Sequence, residues 1–77
     1  MTVKRLSELE PGETGRIIKV GGRGSFRRLL LDMGFVAGTN IEMERVAPLG
    51  DPIEIKVKGY NLSLRKSEAA AIQVEVN

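Results

Sequence analysis

Seventy-seven residues, 42% hydrophobic and 29% charged, make one domain spanning residues 1–77. A chain of that size buries only about 60% of the surface its unfolded form exposes, which leaves little room for a deep catalytic cleft. Neither cysteine nor histidine is present, which removes thiolate chemistry, the commonest general base and the commonest transition-metal side-chain ligand, so no enzyme is expected. The net charge of +2 is modest but uneven. From Thr14 to Thr39 the basic residues are Arg16, Lys19, Arg23, Arg27 and Arg28, against Asp32 alone, so one flank should be positive.

No apolar run approaches the ~20 positions needed to cross a bilayer, and Met1 to Arg5 lacks the apolar core of a secretion signal. A cytoplasmic protein that is not embedded in the membrane is expected.

In chain order, Leu6 and Leu9 belong to a lead-in segment in which Ser7 would cap a single turn, before the Pro11-Gly12 turn signal. Gly15 to Val20 is rich in β-branched residues and reads as the first strand, followed by a flexible Gly21-Gly22-Arg23-Gly24 loop. Ser25 to Gly34 reads as an amphipathic helix. Phe26, Leu29, Leu30 and Met33 fall at i, i+3, i+4 and i+7, which predicts that this stripe is buried. Ser25 would cap its start and Gly34 would close its end in the left-handed conformation. The opposite face then carries Arg27, Arg28 and Asp32, with Leu31 left exposed among them.

A second strand is predicted over Asn40 to Val46, with a phase slip near Arg45 that a bulge explains. Pro48 to Pro52 is a dense turn cluster. Ile53, Ile55 and Val57 then alternate with Glu54, Lys56 and Lys58, the clearest strand pattern in the chain. A hairpin through Gly59 leads to the Tyr60, Leu62, Leu64 alternation, Ser67 would cap a turn over Glu68 to Ala71, and Ile72 to Val76 closes the chain as a strand. The reading is all-β: a small SH3-like five-stranded barrel with one inserted amphipathic α-helix and a short C-terminal helical turn. Closure into a barrel hides strand edges that would otherwise invite aggregation.

Arg23, Arg27 and Arg28 around Leu31 form a candidate partner-binding patch, because arginines beside an exposed apolar residue suit the centre of an interface. The glycine loop before the helix has neither the Walker spacing nor a GxGxxG pattern in a βαβ unit, so its plain reading is a connector. For a divalent transition metal such as Fe²⁺, the weak side-chain candidates are Glu42, Glu44 and Glu54; strand-face acids alternating with Lys56 and Lys58 are more often cross-strand salt partners. RNA binding lacks a stacking platform, since the aromatic residues are Tyr60, Phe26 and Phe35 alone.

Four ordered blocks carry a family resemblance: Leu6 to Ile17, Arg27 to Phe35 with Gly38-Thr39, Ala47 to Ile53, and Leu62 to Ala69. Together they closely resemble the FeoA family across nearly the whole chain. The resemblance implies an SH3-like barrel related to the C-terminal domain of DtxR-type metal-dependent repressors. It also implies a non-catalytic role in ferrous iron uptake through contact with the cytoplasmic, GTPase-bearing region of the FeoB transporter. The alternatives are a metal-responsive module like the repressor tails and a small basic-barrel RNA binder.

Overall fold

The computed structural model describes residues 2–22 and 24–76. Its strands are β1 (Thr2–Arg5), β2 (Thr14–Val20), β3 (Asn40–Val46), β4 (Ile53–Val57), β5 (Tyr60–Leu64) and β6 (Ile72–Val76). Helix α1 (Gly24–Asp32) joins β2 to β3, and the one-turn α2 (Lys66–Ala69) joins β5 to β6. All six strands lie in one antiparallel sheet in the order β1-β6-β2-β3-β4-β5.

Inward positions are the apolar members of each alternation: Ile41 and Met43 on β3, Ile53, Ile55 and Val57 on β4, and Ile72, Val74 and Val76 on β6. They pack with Leu6, Ile17, Leu30 and Phe35 into one core, and no charged or polar side chain is buried among the described residues. Each such side chain contributes roughly 1.5–3 kcal/mol relative to exposure.

The all-β, SH3-like class stands, with six strands in place of the five expected. The additional strand is β1, whose Thr2 to Arg5 pair with Val76 to Gln73. Its burial is slight, with Val3 more than half exposed, so it carries no hydrophobic alternation to announce it. The predicted slip near Arg45 is present: Met43 faces Ile55 and Arg45 faces Glu54, which leaves Glu44 as the extra residue of a bulge.

Both short helical turns start one residue before their serines. Leu6–Glu8 forms a single 3₁₀ turn and Lys66–Ala69 an α turn. In place of a serine cap, the Glu8 carboxylate accepts the Arg5 N–H at 2.7 Å and the Glu68 carboxylate accepts the Arg65 N–H at 2.9 Å. This is the returning half of a capping box.

Helix α1 ends as expected. Gly34 adopts φ +98°, its N–H donates to the Leu31 carbonyl at 3.1 Å, and the Phe35 N–H donates to the Leu30 carbonyl at 3.0 Å. That pair of bonds is a Schellman closure, which only a residue tolerant of the left-handed region makes without strain.

Candidate partner-binding groove

The site arises where two neighbours of β2 end at different places. On one side β6 accompanies β2 as far as Val20, opposite Ile72. On the other, β3 pairs only with Thr14, Gly15 and Arg16. One further pair of bonds follows, Ile17 N–H to the Thr39 carbonyl at 2.8 Å and Gly38 N–H to the Ile17 carbonyl at 2.7 Å. Beyond Ile17 the turn at Val36 to Thr39, closed by Thr39 N–H on the Val36 carbonyl at 3.1 Å, takes the chain away. Along Ile18–Val20, no strand among the described residues pairs with β2 on this side, and α1 lies across a gap from it.

Between them lies a groove of about 540 Å³, lined by Ile18, Lys19, Val20, Gly21, Gly22, Arg27, Leu31 and Ala37. A bulge shapes its floor. Ile17 faces Val74 and Lys19 faces Gln73, so Ile18 is the extra residue on β2 and is turned toward solvent, 38% exposed. Gly21 seals the inner end: its N–H donates to the Ala71 carbonyl at 2.7 Å, and a Cβ there would stand 2.8 Å from the same oxygen. No larger residue fits without moving backbone.

Arg27 spans the groove, its Nε–H donating to the Val20 carbonyl at 3.2 Å. Arg28 is exposed on the outer side of α1. Among the described residues, Lys19, Arg27 and Arg28 form no ion pair with an acid, the pairs being Lys4–Glu13, Arg16–Glu75 and Arg45–Glu54. Of the basic residues in the expected positive flank, Lys19 and Arg27 line this groove.

The predicted buried stripe of α1 requires correction. Leu30 is fully buried, as expected, and Phe26 and Met33 are only half-buried, while Leu29 is 53% exposed and Leu31 is half-buried against the core. The helix is rotated so that its Leu31 side faces β2. Leu31 is therefore a wall of the groove, not an outward anchor, and Leu29 is the exposed leucine. Arg23 lies outside the described residues. What sequence reasoning missed is the β2 wall, Ile18 and Lys19, and Ala37 from the turn before β3, because the bulge and the early departure of β3 are non-local.

A second depression, of about 560 Å³, crosses the outer face of β2, β3 and β4 and is lined by Arg16, Asn40, Glu42, Lys56, Lys58 and Glu75 among others. Its acids are matched: Arg16 donates to Glu75 at 3.1 Å and Glu42 sits opposite Lys56. The metal candidates do not converge. Glu42 faces Lys56, Glu54 lies 3.8 Å from the Arg45 guanidinium, and Glu44 is the bulged residue between. Among the described residues, no three carboxylates cluster closely enough to hold a metal ion.

Residues 4–76 match the family model described as FeoA domain. The chain belongs to the FeoA domain family. A relative of this FeoA-family chain is the Fe(2+) transport protein A/Fe(2+) transporter FeoB fusion protein of Porphyromonas gingivalis (strain ATCC BAA-308 / W83), 49% identical over 72 residues. The match takes in 94% of this chain but only 8% of the length of that fusion.

Among solved structures, the FeoA protein from Chlorobium tepidum superimposes with a TM-score of 0.90 at 40% identity, covering 95% of this chain and 70% of that one. The Stenotrophomonas maltophilia FeoA, complexed with zinc and described as an SH3 domain protein, superimposes with a TM-score of 0.82 at 28% identity, covering 97% and 91%. The FeoA family is linked to ferrous iron transport, and in the Porphyromonas relative FeoA and FeoB are one polypeptide. Among the described residues, no helix is long and apolar enough to cross a membrane.

Proposed function

We propose that this chain is a cytoplasmic, non-catalytic accessory protein of ferrous iron uptake that docks on the cytoplasmic, GTPase-bearing region of a FeoB-type transporter. The observation that carries this reading is the fusion of the two proteins in a relative 49% identical to this chain. Joining two polypeptides in one chain raises the effective concentration of each at the other, which favours pairs that work in contact.

The groove between α1 and β2 is the docking surface, with Leu31, Ile18 and Ala37 as its apolar walls and Lys19 and Arg27 as its charges, and Arg28 exposed beside it. Arg23, in the same basic run, joins Arg28 in orienting the encounter. Docking regulates transport by favouring one nucleotide state of the partner, which requires a difference in affinity between states. The metal-responsive alternative loses support because Glu42, Glu44 and Glu54 do not converge.

The test is an NMR titration of isotope-labelled protein with the soluble GTPase region, loaded with GDP or with a non-hydrolysable GTP analogue. Shifts at Ile18, Arg27 and Leu31 that differ between nucleotides are expected. Equal shifts in both states would remove regulation, and no shift in either would remove the partner.

A further inference from the structure

The groove has one wall of an unusual kind: the side of a strand. In an antiparallel ladder the N–H and C=O of a residue point the same way, and consecutive residues point to opposite sides. The Gly21 N–H is directed to the β6 side, onto the Ala71 carbonyl, whereas the Val20 carbonyl receives the Arg27 guanidinium from the groove. The backbone N–H of Val20 therefore faces the groove as well. Arg27 closes a bare strand edge in the way that charged side chains commonly protect such edges.

We propose that the groove takes an extended, acidic segment of the transporter's cytoplasmic region, which pairs with β2 beside Ile18–Val20 as an added strand. This deepens the docking reading above and rests on it. An added strand supplies a carbonyl for the Val20 N–H and an N–H for its carbonyl, which a helix, with its own backbone groups already bonded, does not offer. The chemistry of the segment follows from the lining. Lys19 and Arg27 line the groove and no acid does, so carboxylates on the segment meet uncompensated positive charge. Ile18, Leu31 and Ala37 provide apolar surface for the alternate side chains. On binding, Arg27 exchanges the Val20 carbonyl for a carboxylate of the segment, a stronger, charge-assisted bond.

The experiment uses the labelled chain with the soluble GTPase region of a FeoB-type transporter at saturation, reading amide exchange and isotope-filtered contacts between the chains. Exchange of the Val20 N–H is expected to slow by about tenfold or more. Backbone-to-backbone contacts typical of antiparallel strands should join Ile18–Val20 to the partner, and Ala37→Glu, an exposed change in a turn, should abolish them.

Shifts confined to Arg28, Leu29 and Asp32, with Val20 exchange unchanged, would overturn strand addition while leaving docking intact. Shifts confined to the depression around Arg16 and Lys56 would overturn the groove as the site. Absence of any shift would overturn the docking reading and this one with it.

Discussion

The Tyr60 hydroxyl donates a hydrogen bond to the Met33 carbonyl, so the first residue of β5 holds the last turn of α1. Just before it, the stem of Lys58 lies over Gly34, its Cδ 3.2 Å from where a Cβ on that glycine would stand. The helix that forms one wall of the groove is thus fastened at its C-terminal end to the β4–β5 hairpin. Tyr60→Phe should cost about 0.5–1.5 kcal/mol, the usual net worth of a hydrogen bond. Amide exchange should quicken at Met33 to Phe35 while β6 is unaffected. Gly34→Ala should cost more, about 1–2 kcal/mol for the left-handed backbone alone, read as a fall in urea midpoint.

Leu29 and Leu30 are adjacent and opposite in environment, the first half-exposed and the second fully buried. Leu30→Ala should cost about 2–5 kcal/mol, the transfer loss plus the cavity left behind. Leu29→Ala should stay within about 0.5 kcal/mol of the parent. Paired denaturation curves measure both, and similarly large losses at the two positions would restore the orientation expected from periodicity.

Glu13 links the fold's stability to pH. Its carboxylate accepts the Glu10 backbone N–H at 3.0 Å and the Lys4 ammonium at 3.1 Å, and these bonds, the backbone one first, hold its pKa below the ordinary carboxylate value. A folded pKa below the unfolded one contributes stability that is complete above the unfolded pKa. That contribution drains away as pH falls through the folded pKa. Glu13→Gln should therefore be less stable than the parent near neutrality and converge with it in acid. Denaturant midpoints across the acid range test this; a constant gap between the two curves would count against the assignment.

Arg27 and Arg28 should act on different rate constants. Arg28 is exposed and without an ion-pair partner among the described residues, so Arg28→Glu should slow association, with an effect that fades as salt is raised. Arg27 lines the groove and touches its strand edge, so Arg27→Gln should instead speed dissociation, by about tenfold or more for an interface centre. Surface plasmon resonance against the GTPase region separates the two.

Local pattern carried much of this structure. The strict alternation in β4 and β6, the hairpin at Gly59, the Gly34 closure and the bulge at Glu44 all follow from nearest-neighbour chemistry, and each is where the pattern placed it. Three features were not legible, for physical reasons. β1 is half of a pair whose apolar face belongs to β6, so its own residues need not alternate. The facing of α1 depends on what flanks it: β2 covers the Leu31 side and nothing comparable covers Leu29. The groove needs the bulge at Ile18 and the departure of β3 after Ile17, both fixed by strands distant in sequence. Arg27 and Arg28 were identifiable as a basic pair, but only the structure separates the one facing the strand edge from the one facing water.

The pairing of Thr2 with Val76 sets how this domain can be tethered. Residues opposite each other in an antiparallel ladder lie about 5 Å apart, so a leash attached before β1 and one attached after β6 leave from the same corner. A membrane protein joined at either end would thus hold the domain by one pivot and swing the groove through the same arc. Joining order and reach become separate variables: the leash's length sets how often the groove meets its target, and the end that bears it hardly matters.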